Sequence, residues 1–385
     1  MLESALRGSR RYWTLITGLL VLIAIGAIAY AGQFIHGLGL TGMSRDVVWG
    51  LYVSQLTFLV GVAASAVMVV LPYYLHHFKA FGKMTILGEF LAITAVVMCI
   101  LFVTVDLGQP MRFMNIFLHP TPHSMLFWDT VVLFGYLTLN VIISRATLRA
   151  ERAGMPPPKW VKPLIYLSVP WAVSIHTVTA FLYCGLAGRT FWESAILAPR
   201  FLASAFAAGP ALLILLALVV RRTTKFDPGL QAIDKLAEIV AYAMAINAFF
   251  ILLEVFTTMY SHVPEDIAHY TYAYLGLHGH TMLVPWSWAS VTLAVVALVL
   301  LIVPRFRRNH KLLVFGCIAV YGSLWIDKGL AMVLTGFVPS PLDDVTQYYP
   351  TGRELLIALG IYALGALVLT VLYKIAISVR EELQA

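Results

Sequence analysis

Charged side chains are scarce in this 385-residue chain: only 12% of positions are Asp, Glu, Lys or Arg, against 60% that are apolar. A soluble domain of this length needs far more polar surface to cover itself, so a water-soluble globule is excluded. Cysteine is nearly missing as well. Cys99, Cys184 and Cys317 stand alone inside apolar runs with no CxxC spacing, which leaves no iron–sulfur ligand set and no disulfide framework, and makes them packing residues. No polar segment is long enough to fold into a catalytic domain. Any soluble chemistry the chain serves must reside on other polypeptides.

What the chain does have is continuous apolar sequence in ten runs, near 13–36, 47–75, 83–106, 124–145, 163–187, 195–220, 236–260, 281–303, 312–335 and 354–378. Each run is long enough to cross ~30 Å of hydrocarbon as a helix. Lipid cannot satisfy an open backbone, and the runs lack the alternation of barrel strands, so the spans are helical. The fold class is therefore an all-α polytopic membrane protein with ten transmembrane helices.

Basic residues orient it. They gather in alternate connections: Arg7, Arg10 and Arg11; Lys79 and Lys83; Arg145, Arg149, Arg152, Lys159 and Lys162; Arg221, Arg222, Lys225 and Lys235; Arg305, Arg307, Arg308 and Lys311; Lys374 and Arg380. The other face and its helix ends hold only Arg45, Arg112, Arg189, Arg200 and Arg353. Both termini are thus expected in the cytoplasm, in a cell's inner membrane. The net charge of +7 is this bias and not affinity for nucleic acid. Arg7 to Arg11 followed by Ala29-Tyr30-Ala31 imitates a signal peptide, but the apolar part is as long as a span and reads as a retained first helix.

Two longer cytoplasmic connections, through Pro156-Pro157-Pro158 and around Thr223 to Lys235, divide the spans into one, four, four and one. The expected segments are 1–46 with the first helix, 47–190 and 191–340 as two four-helix bundles beginning on the same side, and 341–385 with the last helix and a cytoplasmic tail. No residue-level repeat relates the two sets.

An ionisable group in hydrocarbon costs at least ~2.5–3.5 kcal/mol and so needs a partner, water or a function. The candidates are Glu89, Asp106, Asp129, His176, Arg200, Glu254, Asp327 and Lys328. Only Glu89 belongs to the cytoplasmic half. His176, thirteen residues beyond Pro163, is ~20 Å along its helix, just past the midplane. A site that takes two electrons and two protons from a quinol needs an apolar slot, hydrogen-bonding groups at each oxygen and a base titrating near neutrality. Imidazole fits the base, so His176 is the expected proton acceptor, with Asp129 and Glu254 as acidic partners. Thr179 and Tyr183 share its helical face. Tyr52 and Gln55 are candidate ring contacts. Glu89, Asp106, Asp327 and Lys328 are candidate steps of a proton path.

A plainer reading stands beside this one: His176 satisfies a neighbouring helix, and the acids pair with Arg200 and Lys328. Gathering towards one face favours a site for the set, while Asp327-Lys328, adjacent and so pointing apart on a helix, each call for another partner. His278 and His280 at an outer helix mouth read as interfacial. Trp49, Tyr52, Trp128, Trp192 and Tyr260 near outer helix ends read as an aromatic belt. A b-type haem within the membrane needs two deep histidines, and only His176 is deep; the other ten lie in loops or at helix ends. No metal site is expected.

The chain resembles the NrfD/polysulfide-reductase family of membrane subunits over almost its whole length. The resemblance is carried by Trp49-Gly50-Leu51-Tyr52 with Gly61-Val62-Ala63-Ala64-Ser65-Ala66, by Asp106-Leu107-Gly108-Gln109-Pro110, by Ser124-Met125-Leu126-Phe127-Trp128-Asp129, and by Ser174-Ile175-His176-Thr177-Val178-Thr179-Ala180-Phe181. Within the family it is most similar to the quinone-reactive membrane subunits of DsrMKJOP complexes of sulfur-metabolising prokaryotes. The resemblance implies two four-helix bundles flanked by single helices, menaquinone as exchangeable substrate near the periplasmic face, and no haem or iron–sulfur cluster in this chain. It further implies a periplasmic ferredoxin-like iron–sulfur partner (DsrO-like), a multihaem cytochrome c (DsrJ-like) and a haem b/iron–sulfur pair (DsrM/DsrK-like). In longer members a fifth-helix His and neighbouring acids serve quinone and proton transfer, which map onto His176, Asp129 and Glu254. Shorter members use an Asn and a His on the first bundle helix, where this chain offers Tyr52, Gln55 and Thr57, so that pair is not carried over.

The expected function is a membrane subunit of a quinone-dependent oxidoreductase complex. The rivals are a secondary transporter, whose paired broken helices would be cued here only by Gly209-Pro210 in the sixth span, and a passive membrane anchor.

Overall fold

The computed structural model describes residue 6 and residues 8–384, with side chains as far as residue 381. Arg7 and the extreme ends of segments 1–46 and 341–385 lie outside the described residues. Among the described residues, ten helices are long and apolar enough to cross a membrane: α1 Arg10–His36, α2 Leu51–Tyr74, α3 Thr85–Asp106, α4 Met125–Arg152, α5 Val161–Cys184, α6 Leu197–Thr223, α7 Leu230–Ser261, α8 Val284–Ile302, α9 His310–Thr335 and α10 Gly352–Glu381. Each contains the core of one apolar run read from the sequence. No strand occurs among the described residues, where Leu277 and His280 form an isolated bridge. Helix ends follow local chemistry: Ser9 caps α1 by accepting from the Tyr12 N–H, and Gly37, with φ of 79°, ends it.

Packing follows chain order. Helices α2 to α5 contact one another in sequence and close from α5 back to α2; α6 to α9 do the same, closing from α9 to α6. The two sets meet where α2 and α5 pack on α6. Outside them α1 packs along α10, and α10 leans on α3. The apolar windows of α2 and α3 are 78% buried and that of α1 only 11%, so α2 and α3 form the centre and α1 the lipid-facing margin. The α1–α10 crossing requires two glycines, because a Cβ on Gly26 would sit 2.7 Å from the Gly360 Cα. Backbones can approach that closely only where small residues face each other.

Two helices depart from regular geometry, and both do so next to the polar cluster. Helix α2 is two pieces, Leu51–Ala63 and Val67–Tyr74, with a turn between them. That turn packs on α6: a Cβ on Gly209 would lie 2.8 Å from the Ser65 nitrogen and 2.9 Å from the Val62 carbonyl oxygen. The expectation of an interruption at Gly209-Pro210 is overturned, since α6 runs unbroken through Pro210. The glycine there lets α2 approach, and the break lies in the partner helix. In α9, a π-helical stretch over Trp325–Ala331 carries Asp327 and Lys328. A wider turn of this kind re-aims successive side chains, as π-bulges commonly do at polar sites.

On the face poor in basic residues, called the outer face below, the chain is tied down by Glu354 at the start of α10. Its carboxylate accepts from the Gly42 N–H at 2.7 Å, the Thr351 N–H at 2.8 Å and the Tyr348 hydroxyl at 2.6 Å. Tyr348 in turn accepts from the Leu51 N–H at 2.8 Å, so one buried acid fixes where α2 begins. The aromatic-belt reading holds for the exposed Trp128 and Tyr260 but not for Tyr52 and Trp192, both fully buried. Their rings turn inward because their polar atoms find partners there: Tyr52 donates to Gln33 at 2.7 Å, and the Trp192 indole to the Met332 carbonyl at 3.0 Å.

Candidate functional site

Helices α4 and α5 bring Asp129 and Thr179 together, the threonine hydroxyl donating to the carboxylate at 2.7 Å. The same hydroxyl lies 2.7 Å from the Ile175 carbonyl of its own helix, so its one proton is shared between the two acceptors. One turn back along α5, His176 is fully buried, and neither ring nitrogen has a hydrogen-bond partner among the described residues. One turn forward, Tyr183 hydrogen-bonds Thr57 of α2. Its ring lies among Trp49, Trp192 and Phe201. Gln55 accepts from the Trp325 indole at 2.7 Å and the Tyr362 hydroxyl at 2.6 Å. Among the residues read from the sequence as ring or proton contacts, Tyr52, Gln55, Thr179 and Tyr183 are therefore already engaged with protein. His176 is free at both nitrogens.

Glu254 does not join this group. Helix α6 stands between α7 and the α4–α5 pair, and Arg200 of α6 holds Glu254 at 2.5 Å and both Asp327 oxygens at 2.9 Å. Lys328, next in the π turn, points away from Asp327 to the Phe201 carbonyl at 3.3 Å, its ammonium 4.3 Å from the centre of the Phe201 ring. A Cβ on Gly61 of α2 would be 3.3 Å from that ammonium, so Lys328 lies where the two sets meet. Two cations and two carboxylates balance formally, which is the condition for holding four charges in hydrocarbon.

The remaining candidates lie apart. Asp106 ends α3 with one carboxylate oxygen buried and unpartnered. Glu89 is buried at the far end of α3, also with an unpartnered oxygen. Near the same basic-rich face Arg380 of α10 pairs with Glu151 of α4 at 2.8 Å and donates to the Lys83 carbonyl at 2.5 Å.

Between the outer ends of α3 and α4, the loop 107–124 folds over a cavity of about 510 Å³. Apolar Val103, Leu107, Phe113, Ile116 and Phe127 line it, with Arg112 and His119 at the polar positions and Thr130 on the wall. This is the size range of small-molecule sites. Neither His176 nor Asp129 lines it; Thr130 is the neighbour of Asp129 in sequence. Leu107 to Pro110 of this loop carry part of the family resemblance, but sequence reasoning placed no site there, because Arg112 and His119 outside a span carry no hydrocarbon penalty and so no signal. Glu354 was missed for a related reason: beside Arg353 at a helix start it reads as an ordinary first-turn acid.

The sequence model of the family described as polysulphide reductase, NrfD, matches residues 39–327, three-quarters of the chain, including His176, Asp129, Arg200, Glu254 and Asp327. The chain belongs to the NrfD family. Among its curated relatives is a putative dimethyl sulfoxide reductase membrane subunit from Halobacterium salinarum, 24% identical over 93% of this chain and 89% of its own length. A selenate reductase subunit of Mesobacillus selenatarsenatis is 21% identical over 89% of this chain and 86% of its own. The Hdr-like menaquinol oxidoreductase integral membrane subunit of Archaeoglobus fulgidus is 26% identical over 64% of this chain and 60% of its own. As an NrfD protein, this chain is a multi-pass membrane subunit whose match ends at Asp327, inside the π turn of α9.

Proposed function

We propose that this NrfD protein is the quinone-reactive membrane subunit of a respiratory redox complex. It oxidises menaquinol, or reduces menaquinone, in the outer half of the first helix set and exchanges electrons with an iron–sulfur subunit docked outside. The observation that carries the reading is His176, buried with both nitrogens free one turn from the Asp129–Thr179 pair. Imidazole offers a donor and an acceptor in either neutral tautomer. Leaving a buried polar atom unsatisfied costs ~1–3 kcal/mol, a cost that a quinol or quinone oxygen beside the ring offsets. Supporting it, one relative is named as a menaquinol oxidoreductase subunit and two as subunits of reductases.

Oxidation of a quinol releases two electrons and two protons. His176 accepts a proton from the nearer hydroxyl, and Asp129, oriented by Thr179, is the acid placed to receive the next. The apolar cavity beneath loop 107–124 serves as the way in from lipid. Glu254, Asp327 and Lys328, with Arg200, are a charge-balanced cluster in the second set; with Glu89 and Asp106 they supply the further polar positions of a proton route. The Dsr-type resemblance supports a periplasmic ferredoxin-like partner, a multihaem cytochrome c and a haem b/iron–sulfur pair in an inner-membrane assembly.

The purified complex carrying His176→Ala is expected to assemble and to lose quinol-dependent reduction of the partner cluster by ~100-fold or more, the contribution of a positioned general base. Quinone-analogue competition should inhibit the wild type. Undiminished turnover in the variant refutes the role of His176, and indifference of the wild type to quinone analogues refutes the function.

A further inference from the structure

At the end remote from the polar cluster, the first turn of α1, the last turns of α6 and the C-terminal half of α10 border a cleft of about 1620 Å³. The cleft exists because α1 pairs with α10 through Gly26 and Gly360 and makes no comparable contact with α6. A link across it is the Lys225 N–H donating to Glu381 at 3.2 Å. The rim is basic: Arg11, Arg222, Lys225 and Lys374 line it, with Glu381 the one acid among the described lining residues. None of the four cations has an ion-pair partner among the described residues. Lys374 lies 4.7 Å from the centre of the Tyr12 ring, which brings the rims of α1 and α10 together.

Below the rim the walls turn apolar, with Leu15, Leu216, Val219 and Leu369. Leu369 is twelve residues from Glu381, ~18 Å down the helix at 1.5 Å per residue. Val219 is 56% exposed on this wall, an aliphatic surface that in a membrane faces acyl chain. A soluble anion would use the rim and leave the trough uncovered; a partner helix would cover the trough and leave four cations uncompensated. A charged headgroup on an acyl chain matches both.

We propose that this cleft is a binding site for an anionic phospholipid of the leaflet on the basic-rich side, its phosphate held by Arg222, Lys225 and Lys374 and an acyl chain lying along Leu216, Val219 and Leu369. Basic pockets between helices on that face have the chemistry for such headgroups. The lipid would cover the α6 wall that α1 leaves bare. The assignment rests on the charge-bias orientation and is independent of the quinone reading.

The test is native mass spectrometry of the purified protein released from nanodiscs of phosphatidylcholine mixed with phosphatidylglycerol. Wild type should retain phosphatidylglycerol selectively, and Arg222→Gln with Lys374→Gln should weaken that retention roughly thirtyfold, at about fivefold per charge. Arg305→Gln with Arg308→Gln removes the same charge from another basic connection and should leave retention unchanged; an equal loss there would overturn the site in favour of general surface potential. Val219→Trp, which fills the trough without altering charge, should expel the lipid even if the double variant folds poorly. Retention of phosphatidylglycerol by Val219→Trp, or displacement of lipid from the wild type by inorganic phosphate alone, would also overturn the proposal.

Discussion

His269 is the imidazole whose protonation the fold opposes. It sits on the short helix Pro264–Tyr274 on the outer face, nearly buried, with Nδ1 2.9 Å from the Thr335 carbonyl and 3.0 Å from that of Val338. Carbonyl oxygens only accept, so Nδ1 carries the proton and the neutral ring already makes its bonds to the end of α9. Burial holds its pKa below the ordinary value, against the opposing pull of the two carbonyls and Asp266, with Arg189 adding to the depression. The folded chain therefore takes up a proton less readily than the unfolded one, where histidine titrates near ~6.5. This residue's stabilisation is complete above that pH and is lost as the pH falls from there towards the depressed folded value. Thermal unfolding in detergent should show wild type losing its advantage over His269→Gln between ~pH 7.5 and ~pH 5.5. A difference that grows on acidification would contradict the neutral clamp. The sequence marks His269 only as one of ten shallow histidines, because its partners lie 66 and 69 residues away and no local pattern encodes them. His176 was legible for the opposite reason: inside an apolar run, the cost of an imidazole is visible without knowing its neighbours.

Helices show the same division between local and long-range information. The ten spans could be read from hydropathy and length because each backbone satisfies itself within its own segment. The break in α2 could not, since Ala64-Ser65-Ala66 carries neither glycine nor proline and the turn is shaped by the approach of α6 at Gly209. Gly209-Pro210 misled for the converse reason: neighbouring helices tolerate the lost proline N–H, and α6 continues. Replacing Gly209 by Leu should therefore force the two sets apart at the α2 turn, costing ~1–3 kcal/mol or more from overpacking. The check is the thermal midpoint of the purified protein, with Gly18→Leu as a comparison, since a Cβ there meets nothing within 4 Å; equal midpoints for the two variants would show that the crossing does not depend on this glycine.

Charge balance binds α6, α7 and α9 in a way that residue spacing alone only half revealed. Arg200, Glu254 and Asp327 were each visible as costly, and Asp327 and Lys328 as needing separate partners, but the π turn that separates their directions leaves no sequence mark. Arg200→Gln removes the cation from two carboxylates whose side chains are 10% and 12% exposed. Breaking a buried pair from one side costs ~3–5 kcal/mol, so the variant should extract from membranes largely misfolded. Adding Glu254→Gln to it leaves one carboxylate, Asp327, against one cation, Lys328, and should restore much of the folded yield, a non-additive result that separates charge balance from packing. If the double variant is no better folded than Arg200→Gln alone, the ion pairs are not what joins these helices.

For the molecule as a whole, the direction in which the polar cluster faces decides where the proposed electron partner can bind. Basic residues set that direction, because they are held back on the cytoplasmic side during insertion. The connection between α4 and α5 carries exposed Met155 amid Arg152, Lys159 and Lys162, whereas the connection before α10 carries exposed Leu342 amid Asp343 and Asp344. Single cysteines placed there report the two faces, because Cys99 and Cys317 are buried and Cys184, half-buried within α5, supplies a background that Cys184→Ser removes. In intact cells a membrane-impermeant maleimide should label Leu342→Cys and spare Met155→Cys, and in inside-out vesicles the pattern should reverse. His176 and Asp129 lie in the helix halves nearer Leu342, so this labelling would put the proposed quinone site and the proposed iron–sulfur partner on the external side. Labelling of Met155→Cys from outside would instead turn the same cluster towards the cytoplasm, move the proposed partner there with it, and place the basic cleft in the outer leaflet.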